Sequence, residues 1–558
     1  MYDWTTSHFA ICLISGQLSL ARSTIITFAS ACASNILMIT MGGTKSHKIP
    51  FWELARGLIR RSHNVTFISA FSPDFHIEGL EEIAPDTLVS YVRTYTDWDL
   101  VGARMRGEEP VAPLDIVRYG YEACEVFLSD YETRSFFRSG RTYDLIVLDG
   151  AYPECAMGFV YKLKVPFIYI NTVGFYTAPM AMSGSPSPYS VTPFFGRAFT
   201  DNMGMFDRFL NAGWHLMTVA MHRLMVGVLQ GVLRNHFGSD IPHVYDMAKN
   251  VSFILQNGHF SVSYPRPYLP NVAEIACIHC KEPKRLDTDL EHWIQGAGDA
   301  GFVYVSMGSS VRAASMPISA HKLFVRALGR LPQRVLWKHE AEHNITDIPQ
   351  NVRLSKWLPQ QDLLGHPKLK AFVTHGGLLS MYETVYHGVP VVSMPVFCDH
   401  DVNAAKAELD GYAKKIDLLH LTSDKLYKAI REVIEDNKYR DEVKKRQILL
   451  RDQNETPLDR AVYWTEYVIR HKGAYHLQSP AKDLNYFQYH MLDVALIVLI
   501  LGLTSFSILC YTLRLGMKRF TDYVQNPNMH SNKLIKHSNS FLKKSNKLIS
   551  HSMQKKQL

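Results

Sequence analysis

"KAFVTHGGLLSMYETVYHGVPVVSMP", residues 370–395, is the stretch from which the fold can be read. The short apolar run at 371–374 suits a buried strand. His375, Gly376 and Gly377 follow as a turn, residues 379–387 carry helical spacing, and Gly388 with Pro390 stops the helix before "VPVVSMP" opens another strand. Strand, glycine turn, helix and strand make the repeating unit of a doubly wound parallel sheet. Ligands of such sheets bind beyond the carboxyl ends of the strands, where glycine admits close approach and a helix N-terminus offers free N–H groups to an anion. A diphosphate suits that place. Ser380 adds a hydroxyl donor, and Glu383, one turn further on, can accept from two vicinal ribose hydroxyls. Taken alone, Glu383 would read more simply as an acidic residue answering the helix dipole.

The same pattern recurs outward from this stretch. "NILMIT" (35–40) reads as a buried strand, Gly42-Gly43 as a loop, "IPFWELARGLIRRSHN" (49–64) as a helix and "VTFISAF" (65–71) as the next strand. After the proline-rich "YPRPYLPN" (264–271), suited to a linker, the pattern restarts with "FVYVSMGSS" (302–310) and "RVLWKH" (334–339). The expected class is α/β, with two Rossmann-like doubly wound domains, 35–270 and 271–480, facing across a cleft. That arrangement serves a two-substrate transferase.

The ends of the chain decide where it resides. Of a net charge of +8 over 558 residues, residues 514–558 carry +9, leaving a body of −1. A neutral body excludes nucleic acid as the partner. Residues 494–513 hold no charged side chain, and at about 1.5 Å per residue they span roughly 30 Å, a bilayer core. Arg514, Lys518 and Arg519 flank one side only, so the basic tail is expected in the cytosol and the body in the lumen. Residues 1–34, with an apolar run after Arg22 and Ala31-Cys32-Ala33 as a cleavage site, read as a signal peptide or leader. The closing Lys555-Lys556-Gln557-Leu558 resembles the dilysine signal that retrieves single-span proteins to the endoplasmic reticulum. The repeated "SNKLI" at 531 and 545 leaves the tail either disordered or lying on an anionic membrane face.

A lumenal body bears on its cysteines and asparagines. Outside the leader and span, Cys124, Cys155, Cys277, Cys280 and Cys398 are an odd set, so at least one stays unpaired. A lone Cys277-x-x-Cys280 points to ordinary packing or a local disulfide rather than zinc. Sequons stand at Asn64, Asn250, Asn344 and Asn454. Residues 209–233 form a Met-rich, largely apolar helical stretch, either core or a surface that touches the membrane and admits lipophilic acceptors.

Trp357-Leu358-Pro359-Gln360, His375-Gly376-Gly377, Ser380, Glu383, Gly388, Pro390, Pro395, Asp399 and Asn403 together resemble the signature of the UDP-glycosyltransferases, in the animal glucuronosyltransferase-like branch. The likeness extends through "HNVTFISAF", "YDLIVLDG", "INTVGF" and "PLDRAVYWTEYVIRHKGAYHL" to the span and basic tail. The resemblance implies two facing domains and a UDP-sugar co-substrate, with neither metal nor other cofactor. It also implies that Trp357 stacks on uracil, Gln360 bonds its edge and Glu383 holds the ribose. Ser306, Ser309, His375 and Ser380 would reach the diphosphate, Gly308 would allow close approach, and Asp399 and His400 would touch the sugar hydroxyls. For chemistry it points to His47 and Asp149. His47 is placed between the first strand and its helix, with Pro50 in the first helical turn, where the helix N-terminus would lower the imidazole pKa from about 6.5 and keep it neutral. Asp149 would orient the ring and stabilise the imidazolium.

Three departures weaken UDP-glucuronic acid as donor and favour glucose or galactose. Leu379 stands where many relatives carry Asn, Asp399-His400 where glucuronosyl-transferring relatives read Asp-Gln, and "NHFGSDIP" (235–242) has no evident Arg for a sugar carboxylate. The expected function is an inverting transferase that moves a hexosyl group to a hydroxyl of a small lipophilic compound. The alternative, motivated by Leu379, is a membrane-anchored UDP-sugar-binding protein without turnover. Monomer and homo-oligomer are both open.

Overall fold

The computed structural model describes residues 33–554 apart from 42–43, 74, 174–177, 341–346 and 526. Residues 1–32 of the expected leader, Gly42-Gly43, the Asn344 sequon and the terminal Lys555-Lys556 lie outside the described residues.

Seven strands form the first sheet: β1 (Asn35–Thr40), β2 (Asn64–Ser69), β3 (Leu80–Ile83), β4 (Leu145–Asp149), β5 (Phe167–Asn171), β6 (Phe253–Gln256) and β7 (Val272–Glu274). All pair in parallel in the order β3-β2-β1-β4-β5-β6-β7. Six strands form the second: β8 (Phe302–Ser306), β9 (Arg334–Lys338), β10 (Val352–Ser355), β11 (Leu369–Thr374), β12 (Val391–Ser393) and β13 (Ala413–Lys415). They too are parallel, in the order β10-β9-β8-β11-β12-β13. β1, β4, β5, β8 and β11 are almost wholly buried, as a sheet covered by helices on both faces requires. In each sheet the order reverses once, between β1 and β4 and between β8 and β11, and those are the points where a crevice opens.

The chain does not divide into two halves in sequence. β7 lies beyond the proline-rich stretch at 264–271 and still pairs with β6, so the crossing to the second sheet comes after Glu274. Residues of the helix Leu100–Met105 join the core of the second sheet. The helix Pro457–Arg470 returns to the first, its Ala461, Val462 and Val468 packing with Ile36, Phe51 and Phe253.

Among the described residues two helices are long and apolar enough to cross a membrane, Met205–Phe237 and Leu492–Gln525. The first is partly buried in the body; the second, which contains 494–513, buries nothing. Residues from 483 onward form a separate unit. Within it Pro527–Gln554 is helical, so the tail is not a disordered segment over its described residues.

Cys124–Cys155 and Cys277–Cys280 are disulfides, the second being the local bridge that the spacing allowed, and Cys398 is the unpaired member of the five.

Candidate active site

Each switch point carries one half of the site. On the first sheet, the helix Lys45–Arg60 starts four residues after β1 ends. Thr44 is its N-cap, and the His47 N–H donates to the Thr44 carbonyl at 2.9 Å, closing the first turn. His47 therefore belongs to the helix rather than to the loop before it, and Pro50 lies inside the helix rather than at its start. Asp149 is the last residue of β4. The two meet across the switch point, His47 Nδ1 lying 2.9 Å from Asp149 Oδ2.

Asp149 is 2% exposed yet well supplied with donors. Thr40 Oγ1 donates to Oδ2 at 3.1 Å, while Thr172 Oγ1 and the Ala151 N–H donate to Oδ1 at 3.1 and 3.0 Å. A carboxylate has about four acceptor positions, and these partners with His47 fill them without water. Thr172 Oγ1 also lies 2.9 Å from His47 Nδ1. With its Nδ1 proton directed to Asp149, a neutral ring keeps the Nε2 lone pair free to accept a proton.

Burial pushes the His47 pKa down, but the charge and hydrogen bond of Asp149, helped by Asp399, outweigh it and raise the pKa above 6.5. This reverses the lowering expected from the helix N-terminus, because a carboxylate at 2.9 Å is a full charge and the helix end only a partial one.

The second sheet builds the facing wall. Ser306 ends β8 and pairs in register with Thr374 at the end of β11. His375, Gly376 and Gly377 turn the chain into the helix Leu378–His387, with Gly377 as N-cap and Gly388 as its left-handed C-cap. The His375 ring is sandwiched: a Cβ on Gly308 would lie 2.4 Å from its Cε1, and one on Gly377 2.4 Å from its Nε2. Gly308 and Gly376 have φ of +79° and +86°, which side chains resist. Burial, with Lys338 nearby, drives the His375 pKa to about 3, so the ring is neutral and can donate from one nitrogen. Its ring meets that of His400 edge to face at 4.4 Å. Asp399, raised by burial, accepts from Asn403 Nδ2 at 2.9 Å, and the same amide holds the Gly376 carbonyl at 3.0 Å. His47 and Asp399 perturb each other's titration, which places the two walls within electrostatic reach.

Further along this wall, Glu383 is buried and accepts from Gln360 Nε2 on Oε2 and from Gln361 Nε2 on Oε1 at 3.1 Å. Gln360 Nε2 also bonds Ser380 Oγ at 3.0 Å, and Gln360 Oε1 accepts from Tyr304 at 3.2 Å. A uracil edge would have to compete with these bonds for the Gln360 side chain. Trp357 is 74% exposed, leaving a ring face open for stacking, and Ser309 is exposed.

Several residues of the site escaped the sequence reading. Thr172 stands in "INTVGF", but no local spacing ties it to His47, 125 residues away. Lys338, at the end of β9, donates to the Gly308 carbonyl at 2.9 Å and to Glu340 at 3.0 Å, a cation beside the glycine loop. Arg104, in the first half of the chain, pairs with Asp401 at 2.8 Å and so braces the helix that begins at His400.

Comparison with known proteins agrees with this geometry. The sequence profile of the family described as "UDP-glucoronosyl and UDP-glucosyl transferase" matches residues 88–526. UDP-glucosyltransferase 2 of Dactylopius coccus is 32% identical over 500 residues, 86% of this chain and 94% of its own length. Human 2-hydroxyacylsphingosine 1-beta-galactosyltransferase is 31% identical over 484 residues, 84% of this chain and 86% of its own. Among solved structures, the glycosyltransferase of kitacinnamycin superposes with a TM-score of 0.52 at 17% identity, covering 78% of this chain and 99% of that one, a likeness of fold. Two facing parallel-sheet domains, a glycine turn at the second switch point and this breadth of sequence agreement make the chain a member of the UDP-glucuronosyl and UDP-glucosyl transferase family.

Proposed function

We propose that the protein transfers a hexosyl group from a UDP-sugar to a hydroxyl of a small lipophilic acceptor, with inversion at the anomeric carbon. The observation that carries this reading is the pair of switch points, with His47 held by Asp149 and Thr172 at one and the glycine turn with Asp399 and Asn403 at the other. His47 Nε2 takes the acceptor's hydroxyl proton as the oxygen attacks the anomeric carbon. The bond from that carbon to the β-phosphate oxygen breaks, and UDP leaves with the electron pair. One displacement from the opposite face inverts the centre. Asp149 stabilises the imidazolium, a role like that of the third member of a serine triad.

The donor reading follows the second wall. Trp357 stacks on the base, Glu383 takes the ribose hydroxyls, and the diphosphate lies on Ser306, Ser309, His375 and Ser380 at the start of the helix Leu378–His387. Gly308, Gly376 and Gly377 let it approach, and Lys338 adds positive charge. Asp399 and His400 face the sugar. Dipoles, hydroxyls and one lysine can meet the departing charge, so this reading invokes no metal. The donor sugar is read as glucose or galactose ahead of glucuronic acid, on Leu379 and the Asp399-His400 pair.

The helix Leu492–Gln525 is proposed as a single endoplasmic reticulum span with the body lumenal and the tail cytosolic. In His47→Ala, transfer should fall by about 10² to 10⁴ while UDP affinity stays nearly intact. An equal loss of both would remove His47 from the role of base. Incubation with an acceptor library and UDP-glucose, UDP-galactose or UDP-glucuronic acid names the donor, and UDP binding without turnover in every pairing would favour the binding-protein alternative.

A further inference from the structure

The segment 275–280, "IACIHC", is where the chain passes from the first domain to the second. Ile275 and Ile278 are buried in a core of the first sheet, whereas Ala276 and Cys277 belong to a core cluster with Met381, Tyr382 and Val385 of the helix Leu378–His387. The Cys277–Cys280 disulfide closes this turn, and Cys277 adopts φ +66°. Inside the closed turn sits His279, 2% exposed. Neither of its ring nitrogens has a hydrogen-bond partner among the described residues, which is costly for a buried imidazole. Its Nε2 lies 3.4 Å from Glu383 Oε1. Gln361 Nε2 joins the same two residues, donating to the His279 carbonyl at 3.0 Å and to the same Glu383 Oε1 at 3.1 Å.

We infer that His279 is a positioning residue for the donor: held by the Cys277–Cys280 turn with Nε2 3.4 Å from Glu383 Oε1, it closes a hydrogen bond to that oxygen when the ribose seats and so fixes the carboxylate that receives it. The inference rests on the proposed placing of the nucleotide. Its logic is one of acceptor geometry. Glu383 must keep a lone pair directed at the ribose, and a carboxylate rotates freely unless its other positions are taken. Gln360 and Gln361 engage one position on each oxygen, and His279 approaches a further one from the buried side. Because the turn is rooted in both cores, the setting of Glu383 also depends on the two domains being seated together.

The test uses full-length protein and two substitutions of nearly equal polarity. In His279→Gln the side-chain amide reaches the position of Nε2, whereas in His279→Asn it stops at that of Nδ1. His279→Asn should raise both the UDP dissociation constant and the KM for UDP-sugar about tenfold, leaving kcat and the acceptor KM within twofold. His279→Gln should stay within threefold of the parent. A joint Cys277→Ser/Cys280→Ser variant should shift the donor constants in the same direction as His279→Asn, and it serves as the reading if His279→Asn does not fold. On a Glu383→Gln background, His279→Asn should add no more than twofold, since its effect acts through that carboxylate. An unchanged UDP dissociation constant in His279→Asn, or a loss undiminished by Glu383→Gln, overturns the inference. If Glu383→Gln itself leaves UDP affinity untouched, the placing of the nucleotide falls instead.

Discussion

In the role of base proposed for His47, one contact sets the working pH. Asp149 raises the imidazole pKa, so the ring is a stronger base but is neutral only at higher pH. The acid limb of a kcat/KM profile should therefore lie above about 6.5, activity rising as pH passes through the raised value. Asp149→Asn removes the charge that favours the imidazolium. The limb should then move to lower pH while the plateau falls by 10² or more, and a limb that stays in place would separate Asp149 from the titrating group. Gly308 makes a steric case at the same scale. A methyl at φ +79° and 2.4 Å from His375 Cε1 is both strained and obstructed. Gly308→Ala should weaken UDP at least tenfold by equilibrium binding, with His375 displaced from its place between the two glycines.

At the scale of elements, the local pattern fixed most of the second wall and less of the first. Strand, glycine turn and helix at 371–387 fall where spacing puts them, because the apolar run, His375-Gly376-Gly377 and Gly388 act on their own neighbours. The helix after β1 begins at Lys45 rather than at Ile49, its first turn closed by the His47 N–H on the Thr44 carbonyl without help from the apolar face. Long-range packing had no local signal. Nothing in "PLDRAVYWTEYVIR" tells that it returns to the first sheet, yet Trp464 stacks on Phe253 at 4.6 Å and Gly57 leaves room for Val462, whose Cγ2 a Cβ would meet at 2.7 Å. Likewise Thr172 is tied to His47 and His279 to Glu383, each more than a hundred residues away. A closing helix of this kind should carry much of the first domain's stability. Trp464→Ala forfeits an aromatic stack and apolar area, about 3 kcal/mol, and should lower the melting temperature of the body by several degrees. A melt unchanged within a degree would show the helix to be dispensable.

For the molecule as a whole, the proposed lipophilic acceptors raise the question of how a neutral body would meet them. The helix Met205–Phe237 divides between two faces, one joining the core and one left exposed. His215, His222, Met225, Val226, Leu229 and Leu233 turn inward, and His222 Nε2 is paired with Glu154 at 2.7 Å. Met205, Phe206, Phe209, Leu216, Met217, Leu224 and Val228 are exposed. On a body tethered as proposed, an apolar face of that length would gain by resting on the bilayer, at roughly 25 cal/mol per Å² removed from water. Since the contact is apolar, it should not depend on salt, which distinguishes it from the cationic tail, whose Lys536, Lys543, Lys544 and Lys547 would bind anionic lipid and release it as salt rises. The body truncated after Lys482 should therefore co-sediment with neutral phosphatidylcholine vesicles at both low and high salt. Phe206→Ser/Phe209→Ser/Met217→Ser should abolish most of that binding and raise the KM for lipophilic acceptors while sparing the KM for UDP-sugar. A truncated body that stays in the supernatant would leave membrane contact to the span alone and return those side chains to some other partner.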